Sequence, residues 1–188
     1  GARPTFHGVL LEITPGKIKS IATDGHRLAL NNADIEKTGN EEIREILPRK
    51  SAIEIQKLLS GTEGRVNLGF GKDRQYLKIE CGEIKLITKL IEGSFPDYRR
   101  VIPNNCDKEI IVDRHLLKNA LQKSQVFCQK NSGVRLEFRS GALKIISDNA
   151  ENERSEDEIH IQYKGPDITI GVNVGYLLEK INILETDS

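Results

Sequence analysis

His26 is the first side chain in this sequence with the makings of chemistry, because Asp24 stands two positions before it and Arg27 directly after. An imidazole beside a carboxylate could form an acid–base pair, but an enzyme built on it needs a third group to orient the ring. The sequence shows no such group, and no Gly-x-Ser-x-Gly elbow or Walker loop. No two of the four histidines (His7, His26, His115, His160) are spaced as a metal-binding pair, and Cys81, Cys106 and Cys128 form no Cys-x-x-Cys motif. No catalytic residue, metal or cofactor is therefore expected. Reduced thiols and a cytoplasmic location are the matching expectation. Gly69-Phe70-Gly71-Lys72 superficially resembles a phosphate loop, but it lies between two strand patterns with no helix after it, so it reads as a hairpin tip. The acidic run Glu151 to Glu158 lacks calcium-loop spacing and reads as a solvated loop and strand edge.

Recognition is the chemistry that remains. Asp24-Gly25 is a turn pair that holds His26 and Arg27 on a short connection between apolar segments. A second stretch, Gly93 to Pro103, interleaves Phe95, Pro96, Tyr98 and Val101 with Arg99 and Arg100. Basic residues also fall on helix patterns: Arg49, Lys50 and Lys57 on one, Lys118 and Lys123 on another, Lys180 on a third. Helices turning such faces the same way would touch phosphates without reading bases. The 28 basic and 28 acidic residues cancel, which excludes a protein that coats nucleic acid by bulk charge.

The elements that must position these residues follow from periodicity. Gly8 to Ile13 and Lys17 to Ala22 flank Thr14-Pro15-Gly16 as a hairpin. Ile43 to Leu47 reads as a strand, with Pro48-Arg49-Lys50 leading into a helix over 51–59. Strands are expected at 65–70, 75–80, 83–90 and 109–112, and a helix at 113–127 with Asp113 as N-cap and Leu116, Leu117, Ala120, Leu121 and Phe127 as its apolar stripe. An offset of 125 residues, from Gly8 to Gly133, then pairs Val9 with Val134, Leu11 with Leu136, Glu12 with Glu137 and Ile21 with Ile146. The same offset pairs Leu47 with Val172 and Ile53 with Leu178. The chain is read as two copies of one α+β module with antiparallel sheets.

Thr23-Asp24-Gly25-His26-Arg27-Leu28-Ala29, Pro48-Arg49-Lys50 and the stretch from Gly93 to Pro103 together resemble the bacterial DNA polymerase III β subunits, the sliding clamps. The resemblance implies DNA clamp domains, with sheets outside and helices lining an inner face. It implies a central domain over 1–104 lacking its first strand and helix, and a C-terminal domain over 105–188 truncated at its end. It further implies a non-catalytic processivity factor that encircles duplex DNA as a ring-shaped homodimer. Such a factor tethers the DNA polymerase III alpha subunit, the clamp loader and repair factors through a peptide cleft. Carried over to matching positions, the cleft is Phe6, Thr23, Gly25, His26, Arg27, Leu28, Pro96, Arg100 and Val101, with the basic helix residues facing DNA. A peptide-binding module that never encircles DNA is the alternative.

Overall fold

The computed structural model describes residues 7–36, 39–128, 133–149, 153–184 and 186–187. It divides into two compact units, Gly1–Ile102 and Pro103–Ser188.

In the first unit, strands β1 (Gly8–Thr14), β2 (Lys17–Thr23), β3 (Leu28–Asp34) and β4 (Ile43–Pro48) form an antiparallel sheet ordered β3-β2-β1-β4. Helix α1 (Arg49–Leu59) follows without a break, then β5 (Asn67–Phe70), β6 (Tyr76–Cys81) and β7 (Ile84–Lys89) as a three-stranded sheet. Gly69-Phe70-Gly71-Lys72 runs from β5 into the turn before β6, where the Gly71 N–H donates to the Tyr76 carbonyl at 3.1 Å.

Both faces of the first sheet are covered, for different reasons. Alternation puts Val9 and Leu11 on one face and Leu10 and Glu12 on the other. Leu11 and Leu47 pack with Leu77, Ile79 and Leu90, and Ala52 and Ile55 of α1 lie against that cluster. On the opposite face Leu10, Ile21 and Ile46 are buried beneath Phe95 and Tyr98. Tyr98–Val101 is a single 3-10 turn that begins with the buried Tyr98, and with Phe95 it makes the Gly93–Val101 stretch a lid on the sheet.

The second unit repeats the sheet. Strands β8 (Gly133–Arg139), β9 (Ala142–Asp148), β10 (Arg154–His160) and β11 (Ile168–Asn173) are ordered β10-β9-β8-β11. The offset of 125 holds pair by pair: Leu10↔Ile21 becomes Arg135↔Ile146, and Val9↔Leu47 becomes Val134↔Val172. The outer hairpin slips by one, Lys17↔Asp34 becoming Ala142↔His160, because the β9–β10 connection is one residue longer than the β2–β3 connection. Helices α2 (Arg114–Phe127) and α3 (Val174–Ile181) cover one face, burying Ala120, Leu121, Val134, Leu136, Leu143, Ile145 and Leu178 in one core. The other face is polar where the first unit is apolar, since Arg135 replaces Leu10 and Gly171 replaces Ile46.

Three expectations need correction. The strand at 109–112 is one bridge, Ile111↔Gln162, with too few ladder bonds to make a strand. The first helix begins at Arg49, two residues early, since the Pro48 ring ends the strand and tolerates a helix start. Leu116 is 48% exposed although it falls in the apolar stripe of α2, because the helix turns Ala120, Leu121 and Ser124 inward.

Asp113 does cap α2, accepting from the Leu116 N–H at 2.8 Å. Asp113→Ala is expected to cost about 1 kcal/mol of stability, read by chemical denaturation, with Asp113→Asn close to the parent. Equal stability of all three would mean that the cap contributes nothing.

Candidate functional site

The connection from β2 to β3 is rigid because its polar groups satisfy one another. Asp24 Oδ1 accepts from the His26 and Arg27 N–H groups, both at 3.0 Å, and Asp24 Oδ2 accepts from Arg27 Nε at 3.0 Å. The Thr23 hydroxyl donates to the Arg27 carbonyl at 2.7 Å and accepts from the Gly25 N–H at 3.2 Å. Gly25 has φ +90°, a left-handed backbone that disfavours any Cβ. The hydrogen bond from the His26 amide is the largest cause holding the Asp24 carboxyl below its ordinary 3.8, with the Arg27 amide and guanidinium adding to it. Asp24 is thus consumed in building the loop, and neither its second oxygen nor its charge is left to activate His26.

The lid supplies the opposing wall. Thr23, Gly25, His26, Arg27 and Leu28 from the hairpin and Pro96, Asp97, Tyr98 and Val101 from the lid enclose a cavity of about 300 Å³. Its floor is continuous with the buried cluster, since Leu28 packs against Leu10, Ile21, Phe95 and Tyr98. Val101 is 68% exposed at the mouth, where its side chain remains open to an incoming ligand. The arrangement can take an apolar side chain between Leu28, Pro96 and Val101, with polar groups at the rim.

Seven residues expected for the cleft, Thr23, Gly25, His26, Arg27, Leu28, Pro96 and Val101, therefore come together. Arg100 does not line the cavity: its side chain is 85% exposed and pairs with Asp97 at 2.9 Å. Phe6 lies outside the described residues. Asp97 and Tyr98 were missed, although they stand inside the motif that carries Pro96 and Val101.

Tyr98 is 3% exposed, and its hydroxyl donates to Glu12 Oε2 at 2.7 Å. Burial, then the hydrogen bond to that carboxylate, raises the phenol's pKa above the usual tyrosine value. Glu12 also receives Arg99 Nη2 at 3.1 and 3.2 Å and pairs with Arg44 Nε at 3.1 Å. The signal for Glu12 was a carboxylate two residues from Leu10, on the face of β1 that alternation marks as apolar.

The basic residues divide by setting. Arg49 and Lys50 are exposed in the first turn of α1, which has no acidic residue and no side-chain cap. Lys57 is also exposed, but Glu54 of the same helix holds it at 3.4 Å. Lys123 pairs with Asp157 of β10 at 3.0 Å, Lys118 is half-buried on α2, and Lys180 is exposed on α3. Cys81 and Cys128 are buried free thiols and Cys106 an exposed one. Among the described residues, no helix is long and apolar enough to cross a membrane.

The sequence matches the model of the DNA polymerase III beta subunit central domain over residues 1–97, and that of its C-terminal domain over residues 99–188. It is 36% identical over 183 residues to the beta sliding clamp of Pseudomonas aeruginosa, covering 97% of this chain and 49% of that protein. The crystal structure of a P. aeruginosa sliding clamp bound to griselimycin superposes with a TM-score of 0.93 at 36% identity, covering 100% of this chain and 50% of that one. A Bartonella birtlesii sliding clamp bound to griselimycin gives a TM-score of 0.90 at 30% identity, covering 98% and 50%. The chain thus spans about half the length of the curated relatives it matches. Two adjacent domain matches, over a repeat visible strand by strand, show that this chain belongs to the DNA polymerase III beta subunit family.

Proposed function

We propose that this chain is part of a non-catalytic processivity factor, a cytoplasmic sliding clamp that encircles duplex DNA and holds partner proteins through the cleft beside Gly25. The single observation that carries the peptide-binding half of this reading is the cavity of about 300 Å³ between two rigid walls, with Leu28 at its floor and Val101 at its mouth. An extended segment anchoring one apolar side chain there would find hydrogen-bond donors at the rim in His26 and Arg27, and in Arg100 once it leaves Asp97. Its bearers would be the DNA polymerase III alpha subunit, the clamp loader and repair factors. Residues 1–104 would serve as the central domain and 105–188 as the C-terminal domain of a protomer that closes head-to-tail with a second copy.

DNA contact in this reading is electrostatic. Arg49 and Lys50 place two cations where α1 already presents unpaired N–H groups, a position that favours phosphate over a protein carboxylate. Lys118 and Lys180 extend the contact, and Lys57 and Lys123 join it by exchanging Glu54 and Asp157 for phosphate.

The test uses the full-length protein loaded on nicked circular duplex by its clamp loader. A ring stays on the circle through a high-salt wash and is lost when the circle is cut, whatever the sequence. Arg49→Glu with Lys50→Glu should weaken loading and flatten the salt dependence of initial DNA binding by about two counterions. Equal retention on linear and circular DNA would contradict encirclement and favour a plain peptide-binding module.

A further inference from the structure

We propose that Glu12 is a positioning residue of the cleft, setting the 3-10 turn Tyr98–Val101 on the sheet through the Tyr98 hydroxyl and the Arg99 guanidinium. This inference rests on the cleft reading above.

The turn has little to hold it in place by itself. It is four residues long, Asp97 makes no side-chain cap, and its Arg100 N–H to Asp97 carbonyl bond is long at 3.4 Å. Yet it carries Tyr98 and Val101, two of the cavity's lining residues. Glu12 sits on β1, an interior strand of its sheet, and is only 8% exposed. One side of its carboxylate is fixed to the sheet by Arg44, its register partner on β4. The turn reaches both oxygens: the Tyr98 hydroxyl donates to Oε2 at 2.7 Å, and Arg99 Nη2 contacts Oε2 at 3.1 Å and Oε1, the oxygen that Arg44 also holds, at 3.2 Å. Bonds to a carboxylate are shorter and stronger than neutral ones, so this junction ties the lid firmly to the sheet.

The repeat provides an internal control. Glu137 occupies the equivalent position on β8, but its partners are Arg135 at 3.4 Å and Arg139 at 3.1 Å on its own strand. There Arg135 stands in place of Leu10, and among the described residues no apolar cluster lies on the face of β8 carrying Glu137. The same residue type at the same ladder position makes half-buried ion pairs along its own strand in one unit and anchors a binding-site wall in the other.

The experiment titrates griselimycin, which both structural relatives bind, against the full-length protein and its Leu28→Ala, Glu12→Ala, Glu12→Gln, Tyr98→Phe and Glu12→Ala/Tyr98→Phe variants. Tyr98→Phe removes one hydroxyl and keeps the buried ring, so it folds even where Glu12→Ala does not. Expected are about tenfold weaker binding for Glu12→Ala and for Tyr98→Phe, and a double variant no weaker than Glu12→Ala. Glu12→Gln, which keeps an acceptor for the hydroxyl but loses the charge that holds Arg99, should fall between the parent and Glu12→Ala. A general loss of stability would give neither the non-additive pair nor the partial glutamine rescue. Losses that multiply to about a hundredfold in the double variant would overturn action through Tyr98. If Leu28→Ala weakens binding while Tyr98→Phe and Glu12→Ala do not, the positioning role falls and the cleft stands. If the parent fails to bind, or Leu28→Ala binds as the parent does, the cleft reading falls and this inference with it.

Discussion

Leu28→Asp in the full-length protein is expected to weaken griselimycin binding at least a hundredfold, with the fold intact by circular dichroism. Leu28 begins β3, directly opposite Thr23, and its side chain joins the cavity to the cluster of Leu10, Ile21, Phe95 and Tyr98. Removing an aliphatic anchor site forfeits roughly 1.5–3 kcal/mol of apolar burial, about ten- to a hundredfold in affinity, which is the range expected for Leu28→Ala. Aspartate adds the cost of enclosing a charge against an apolar ligand, with its best cationic neighbour, Arg27, already held by Asp24. Val101→Asp should behave similarly at the mouth. Ile87→Asp is the control: Ile87 is 67% exposed on β7 and does not line the cavity, so binding should be unchanged. Parent-like affinity in both Leu28→Asp and Val101→Asp would place the binding site elsewhere.

Leu121→Ala is expected to destabilise the second unit by about 2–5 kcal/mol, read as faster amide exchange across β8, β9 and α3. Leu121 is 0% exposed and packs among Ala120, Val134, Leu136, Leu143 and Ile145, so truncation leaves a cavity walled by strands that cannot collapse into it. Leu116→Ala on the same helix is the comparison. At 48% exposure it should cost under about 1 kcal/mol, although the two leucines look equivalent in the helical pattern. Similar costs at both positions would mean that α2 packs in a different rotation.

That pair of leucines shows where sequence reading stops. The amphipathic period announces a helix and an Asp113 cap announces its start, because both are set by contacts within one turn. Which part of a broad apolar stripe is buried depends on the sheet below, and a 3.6-residue period carries no information about that. The two bases on α1 and the lysine pairs with Glu54 and Asp157 divide the same way. Their presence on helices was legible, whereas the partner of Lys123 is a strand residue 34 positions on.

The sequence by itself determined the repeated hairpin and the strand and helix that follow it, whereas the edge strands β3 and β10 appear only in the structure. Gly8 and Gly133 begin strands whose registers agree residue for residue, since alternation with period two fixes which side chains face inward. The tight turn at Asp24-Gly25 was equally local, being made of hydrogen bonds that span two to four residues. Only the tertiary structure decided that one copy of the module carries a cleft. The lid must be brought back across the sheet, and the bond that docks it joins residues 86 positions apart, Glu12 and Tyr98. No local period encodes such a pairing. It exists because burying Phe95 and Tyr98 on Leu10, Ile21 and Ile46 offsets the entropy of closing that loop, whereas Arg135 and Gly171 offer the second unit no comparable apolar face.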